Sequence, residues 1–149
     1  MGAKRSRALL VLALCVLGAL VLALPASAAA APLAHLKTVM TGEQEVPGPG
    51  DPNGIGEAKI KVFRTKVCYT LTAKRIAPAT AAHIHKGSRG EAGPVVVTLK
   101  PPTDGSSSGC KKISRSLAKN LKEHPGRYYV NVHNRPYPEG AIRGQLERE

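Results

Sequence analysis

The chain contains no tryptophan and a single phenylalanine among its 149 residues. A hydrophobic core must therefore be built from valine, isoleucine, leucine and the four tyrosines. The shortage of aromatic side chains also argues against nucleic-acid binding, because single-stranded bases stack on aromatic rings. We therefore predict no nucleic-acid partner, although the chain is strongly basic.

Acidic residues are few, ten against 22 lysines and arginines. Setting aside the three basic residues that precede Ala8 leaves a net charge of about +9 on the rest of the chain. The basic residues are scattered along the sequence. They predict either a solvated basic surface or adsorption to anionic cell-envelope polymers or lipid headgroups.

The N-terminus has the three-part pattern of a secretory signal peptide. Lys4, Arg5 and Arg7 precede the apolar run Ala8–Leu24, and small residues follow up to Ala28. We predict cleavage near Ala28, with residues 1–28 as signal peptide and 29–149 as one secreted domain without a membrane span. The alternative is that the apolar run stays as a short membrane anchor.

Cysteine is scarce, with three in the chain and no Cys-x-x-Cys spacing. Cys15 lies inside the apolar run after Leu14, where a lipoprotein signal needs a small residue, so we interpret it as part of the signal peptide. Cys68 and Cys110 remain, and in an oxidising compartment they predict one disulfide bond. Free thiols or thiolate metal ligands are the alternative.

Apolar residues mostly alternate with polar ones, which is typical of half-buried strands. Such alternation covers 36–40, 58–62, 67–73, 81–85, 95–99, 127–133 and 141–147. Glycine and proline predict loops over 42–56 and 101–109. Apolar residues spaced by four predict one short helix over 114–123. We expect an all-β fold, an antiparallel immunoglobulin-like sandwich or barrel of about seven or eight strands.

Three histidines form the most distinctive pattern. His83 and His85 are two residues apart, so on a strand their side chains leave the same face. His133 follows on another predicted strand about fifty residues later. If the two strands are close, three imidazoles suit a copper or zinc ion, and we take these residues as a candidate metal site.

Five segments together resemble the successive motifs of the CHRD domain family. They are Glu43–Pro47, Ala81–Gly87, Gly93–Val97, Tyr128–His133 and Gly140–Leu146. The resemblance runs from about His35 to Leu146. It implies an immunoglobulin-like β-barrel distantly similar to copper/zinc superoxide dismutase, and it implies no established biochemical activity.

The distant similarity to the dismutase can be followed at the histidines. In that enzyme a His-x-His strand supplies two copper ligands and a later strand ending in Val-His supplies another, the layout of His83, His85 and His133. No histidine lies between His85 and His124, so the bridging and zinc-loop ligands have no counterpart, which argues against dismutation. We interpret His35 and His124 as surface residues.

Five further residues are candidates for supporting this site. Tyr129 and Asn131 share the parity of His133 and are candidate partners of the ligands. Arg143 is expected to face outward, either beside the histidines or paired with a carboxylate such as Glu45 or Glu139. Glu43 and Glu45 lie in glycine- and proline-rich sequence, and we interpret them as hydrogen-bond acceptors that anchor a loop.

Three functions are open to such a chain. The first is a structural or binding module at the cell surface or outside the cell, in which the histidines belong to a polar cluster. The second is a copper- or zinc-binding module. The third is a metal-dependent enzyme, which we favour least because no Ser-His-Asp pattern, Gly-x-Ser-x-Gly elbow or phosphate-binding loop is recognisable.

Overall fold

The computed structural model describes residues 30–149. The predicted signal peptide and Cys15 lie outside the described residues, so signal cleavage and secretion stay predictions. The described part of the chain contains nine strands, one α-helix and two single-turn 3₁₀ helices at Gly42–Gln44 and Pro125–Arg127. The strands and the helix are β1 Ala34–Thr41, β2 Ile55–Val62, β3 Lys66–Lys74, β4 Ala79–Lys86, β5 Val95–Leu99, β6 Ser106–Lys112, α1 Arg115–Glu123, β7 Tyr128–Asn134, β8 Ile142–Gln145 and β9 Glu147–Arg148.

The strands form one antiparallel sheet that curls into a nearly closed barrel. Its order is β5-β4-β7-β8-β1-β2-β3-β6, and the short β9 extends the pairing of β1. The two outer strands, β5 and β6, come together where the hydroxyl of Ser107 donates to the carbonyl of Lys100 at 2.7 Å. The predicted all-β antiparallel fold with one short helix is confirmed.

Alternation along the strands fills the barrel with aliphatic side chains. In β1, Leu36 and Met40 are buried while Lys37 and Val39 are exposed, and β2 and β3 repeat the pattern. Burying such side chains stabilises the fold by about 1.5–3 kcal/mol each. The large, fully buried aliphatic residues are Leu36, Met40, Ile60, Val62, Val67, Leu71, Ile84, Leu121, Val130, Val132, Ile142 and Leu146.

The helix lies across one end of the barrel. The hydroxyl of Ser114 caps its N-terminus by accepting the amide of Leu117 at 3.1 Å. Ala118 and Leu121 point into the core, Leu117 packs against it, and the other side chains of the helix are polar. At nine residues, α1 is too short to cross a bilayer, and no other helix in residues 30–149 is long and apolar enough.

Cys68 and Cys110 form a disulfide bond between directly opposed positions of β3 and β6. The predicted bridge is therefore confirmed. It closes a loop of 42 residues, which in the chain-entropy description stabilises the folded state by about 4 kcal/mol.

The loop predicted over 101–109 is wrong in its second half, because β6 begins at Ser106. Serine and glycine in Ser106–Gly109 show no apolar alternation, so the sequence gives no sign of a strand. What holds β6 in place is backbone pairing with seven residues of β3, together with the disulfide bond.

Candidate functional site

Strands β4, β7 and β8 lie side by side and place the candidate residues in two rows across the outer face of the barrel. His83 is opposite Asn131, which is opposite Arg143. His85 is likewise opposite Tyr129. Because alternate residues leave opposite faces, Ile84, Val130 and Val132 fill the core while these polar side chains point outward. The predicted parity is therefore confirmed.

Pointing outward does not make these side chains exposed. Asn131 is 3% exposed, Arg143 2% and His85 9%. The β4–β5 loop, residues 87–94, folds back over this face, so that Arg143 donates to the backbone carbonyls of Ser88 and Glu91, both at 2.9 Å. The result is a second, polar interior between the sheet and its covering loop.

The three histidines meet within this polar layer. One ring nitrogen from each of His83, His85 and His133 lies within 4.8 Å of the other two. The closest pair is His83 Nδ1 and His133 Nε2, 3.1 Å apart. In residues 30–149 this is the one group of histidine, cysteine and carboxylate side chains with metal-ligand spacing.

Backbone carbonyls fix the orientation of two of the rings. His85 Nδ1 donates to the carbonyl of Gly93 at 2.8 Å, and His133 Nδ1 donates to the carbonyl of Pro138 at 2.9 Å. Each bond places the proton on Nδ1, so the Nε2 lone pair can accept a hydrogen bond, as that of His133 does from His83, or bind a metal. His85 Nε2 is buried and accepts no hydrogen bond, so it is available as a metal ligand.

Burial favours the neutral form of His83 and His133 by lowering the pKa of each. Desolvation lowers the pKa of His83 below its ordinary value, and the neighbouring His133 and His85 lower it further. Desolvation also lowers the pKa of His133, against the opposing effect of the Pro138 carbonyl. Neutral imidazole is the form that binds a metal, so this environment favours ligation at neutral pH.

A stack of three side chains lies beside the histidines. The rings of His85 and Tyr129 are parallel within 7°, with centroids 4.7 Å apart. The guanidinium carbon of Arg143 lies 3.5 Å from the centre of the Tyr129 ring. Since β4 and β8 flank β7, His85 and Arg143 cover opposite faces of that ring. Such cation–π contacts stabilise buried sites by about 2 kcal/mol.

Tyr129 and Asn131 were candidate hydrogen-bonding partners of the histidine rings, but neither has that role. The Tyr129 hydroxyl accepts from the Gly93 amide at 3.2 Å, so Tyr129 and His85 are held by the same glycine. Asn131 lies next to His83 in the register, but its Oδ1 accepts no hydrogen bond. Tyr129 therefore supports the site by stacking and by fixing the loop.

Arg143 lies beside the histidine cluster, and no carboxylate is within 4.0 Å of it in residues 30–149. The alternative of a direct ion pair with Glu45 is therefore wrong. Instead of a carboxylate, the Arg143 guanidinium contacts two backbone carbonyls of the covering loop and the Tyr129 ring.

The two glutamates differ sharply in position. Glu43 is exposed in the 3₁₀ turn Gly42–Gln44. Glu45 is buried against Gly140, where a Cβ atom would overlap its carboxyl group. Burial raises the pKa of Glu45 to about 7, while Arg143 and the Val46 amide oppose this shift. Glu45 Oε1 accepts no hydrogen bond, so this oxygen does not have the predicted role of an acceptor that anchors the loop.

Gln145 completes the polar layer, and the sequence did not single it out. Its side-chain amide donates to the carbonyls of Gly87, Gly126 and Tyr128 at 2.8–2.9 Å. Its parity with Arg143 was the available signal. His35 and His124, in contrast, are exposed as expected.

Binding a zinc or copper ion requires the three nitrogens to move closer together. Zinc–nitrogen bonds of about 2.0–2.1 Å at tetrahedral angles place ligand nitrogens about 3.4 Å apart. The pair at 3.1 Å is already near this spacing, whereas a pair at 4.8 Å must close by roughly 1.4 Å. The Nδ1 anchors of His85 and His133 are the outer contacts that usually orient metal-binding imidazoles.

Comparison with known proteins agrees with this architecture. The CHRD domain model matches residues 36–146, which include all of the polar layer and the disulfide. No curated protein and no solved structure matches the chain. The match covers well over half of the chain, and the protein belongs to the CHRD domain family.

Proposed function

We infer that this protein works outside the cell or at its surface as a binding and structural module, and that His83, His85 and His133 bind a copper or zinc ion. Family membership supports a module of this broad kind. The N-terminal pattern and the disulfide support an extracellular setting.

The observation that carries the metal proposal is the free nitrogen of His85. Its Nε2 is buried and unpartnered, while its Nδ1 is occupied by the Gly93 carbonyl. Leaving a buried polar atom without a partner costs about 1–3 kcal/mol. A metal ion held jointly with His83 and His133 would satisfy this atom.

The donor set favours copper or zinc over harder ions. Imidazole suits both metals, whereas calcium and magnesium take oxygen ligands. An ion bound by three imidazoles keeps at least one position for a further ligand, which is the arrangement of catalytic zinc sites. Catalytic turnover by the metal-loaded protein would therefore distinguish a metal-dependent enzyme from a metal-binding module.

A structural role for the same cluster is supported by a separate observation. Arg143, Gln145 and His85 donate hydrogen bonds to five different residues of the covering loop and its surroundings. These contacts hold the loop on the barrel without any ion. The polar layer therefore stabilises the fold whether or not a metal is bound.

Metal content tests the metal proposal. The full chain without a histidine tag is incubated with zinc or copper, desalted and analysed for metal. We expect about one equivalent in the wild type and less than about 0.1 in the His83→Ala, His85→Ala variant. The matched control His35→Ala, His124→Ala removes two exposed histidines and should keep the metal.

Two results would contradict the proposal. One is a wild-type content below about 0.1 equivalents after incubation with either metal. The other is a cluster variant that keeps its metal while remaining folded by circular dichroism. In either case the structural role of the cluster would stand alone.

A further inference from the structure

The basic residues that look scattered in the sequence gather at one end of the barrel. The β2–β3 turn, the end of β6, helix α1 and the following 3₁₀ turn all lie there, since the Ile113 amide donates to the Thr65 carbonyl and α1 contacts β2. We call this surface the basic end, and its residues are Arg64, Lys66, Lys111, Lys112, Arg115, Lys119, Lys122 and Arg127.

The basic end holds most of the net charge of the described chain. Residues 63–66 and 110–127 contain eight basic residues and one acidic residue, Glu123. The adjoining residues 147–149, whose Arg148 donates to the Lys122 carbonyl, add one basic and two acidic residues, which gives a net charge of +6. Residues 30–149 as a whole carry +9. All eight cations are exposed, and none has a carboxylate within 4.0 Å in the part of the chain that the structure describes.

This arrangement disfavours the folded state. Lys66 lies directly opposite Lys112 in the β3–β6 register, and like charges in such pairs are destabilising. Arg115 and Lys119 repeat the repulsion at i and i+4 on α1. The first helical turn also carries Arg115 and no acidic residue, which opposes the helix dipole. A charge pattern that costs stability in this way indicates a partner that relieves it.

Apolar residues at the same end indicate which anionic partner fits. Phe63 forms the turn beside Lys66, whose ammonium lies 5.1 Å from the ring centre. Leu33 is 39% exposed and donates its amide to the Val62 carbonyl, so the chain enters the barrel here. The half-buried Phe63 and the exposed Leu33 thus place apolar surface among the cations, which matches a lipid interface, where both contribute to binding.

The chain before Leu33 supports the same partner. It contains the apolar run Ala8–Leu24, separated from Leu33 by only eight residues. A membrane that binds this run is therefore closest to the basic end of the folded domain. We propose that the basic end docks on the surface of an anionic lipid bilayer, with Phe63 and Leu33 at the headgroups. This docking is independent of the histidine cluster.

Vesicle binding by the full chain tests the docking. We compare the partition coefficients for phosphatidylcholine vesicles with and without 30% phosphatidylglycerol, at low and at high salt. Lys4, Arg5 and Arg7, which precede the apolar run, also favour the anionic vesicles. Every variant carries this same N-terminal segment, so its contribution cancels when the ratios of two variants are compared. We expect a wild-type ratio of at least about ten that falls towards one in high salt.

Two variants of equal net charge test whether vesicle binding depends on the basic end or only on the total charge of the protein. One removes four cations of the basic end, Lys66→Gln, Lys112→Gln, Arg115→Gln and Lys119→Gln.

The matched control removes four exposed lysines from the rest of the barrel, Lys37→Gln, Lys59→Gln, Lys74→Gln and Lys100→Gln. We expect the first variant to lose at least about tenfold in the ratio and the control less than about threefold. Equal losses would overturn the proposal. So would a wild-type ratio near one, and tight binding of soluble polyphosphate in that case would identify an anionic polymer as the partner instead.

Discussion

His83 Nδ1 lies 3.1 Å from His133 Nε2, and the direction of that hydrogen bond follows from its surroundings. His133 Nδ1 already donates to the Pro138 carbonyl, so its Nε2 is the acceptor. His83 must therefore carry its proton on Nδ1 when no metal is bound. Metal binding through the same nitrogen requires that proton to move to Nε2.

The first prediction is a tautomer change at His83. Nitrogen-15 NMR of the histidine rings should show His83 protonated at Nδ1 in the metal-free protein and at Nε2 after one equivalent of zinc. His133 should keep its Nδ1 proton throughout, and the exposed His124 should not respond. An unchanged His83 spectrum in the zinc-loaded protein would mean that the ion is bound elsewhere.

The second prediction concerns Gly93, whose carbonyl orients His85. A Cβ atom at this position would come within van der Waals overlap of the Lys86 carbonyl oxygen. Gly93→Ala should therefore displace the covering loop, destabilise the protein by about 1–3 kcal/mol and weaken zinc binding.

Urea unfolding and zinc titration measure the two effects. The control is Gly126→Ala, because nothing lies within 4 Å of a Cβ at that glycine. It should change stability by no more than about 0.5 kcal/mol. Wild-type zinc affinity in a folded Gly93→Ala protein would show that the loop does not position His85.

The third prediction concerns the planar guanidinium of Arg143. It stacks on Tyr129 and donates to two loop carbonyls, which a lysine ammonium cannot do in the same geometry. Arg143→Lys should lower the free energy of unfolding by about 1.5–3 kcal/mol. Arg135→Lys, at an exposed arginine, should be neutral in the same urea titration. Equal stability of the two variants would show that charge alone suffices at position 143.

The fourth prediction is a pH dependence of stability from Glu45. Its pKa is about 7 in the folded protein, above the ordinary 4.5, so the folded state holds the proton more tightly than the unfolded chain. Stability from this group is full below about pH 4.5 and falls as pH rises through about 7. The loss is up to about 3 kcal/mol.

Glu45→Gln removes this titration. The variant should be more stable than wild type at pH 8, and the difference should shrink towards pH 4.5. Glu43→Gln, at the neighbouring exposed carboxylate, should show no such trend. Urea unfolding at several pH values measures both, and parallel curves for wild type and Glu45→Gln would contradict the assignment.

The strand pattern predicted the barrel and the face that carries the histidines, because alternation assigns each residue to one side of the sheet. The cysteine count predicted the partners Cys68 and Cys110, since the third cysteine lies in the predicted signal peptide. Sequence could not predict that the histidine face is buried. That depends on the path of the 87–94 loop, which is fixed by hydrogen bonds from Arg143 and Gln145 across the fold.

The clustering of basic residues at one end of the barrel could not be predicted from the sequence for a similar reason. Lys66 and Lys112 are 46 positions apart in the sequence and become neighbours only through the β3–β6 pairing. That pairing uses the serine-rich strand β6, which has no apolar alternation. Because β6 has no apolar alternation, the sequence predicted neither the closure of the barrel nor the clustering of cations at the basic end.

The most direct test of the metal proposal is the position of the ion itself. Zinc-loaded crystals, with anomalous diffraction measured at the zinc edge, should show one ion bonded to a nitrogen of each of His83, His85 and His133 at about 2.0–2.1 Å. An anomalous peak at another group of residues, or none at the cluster in crystals soaked with excess zinc, would contradict the proposal.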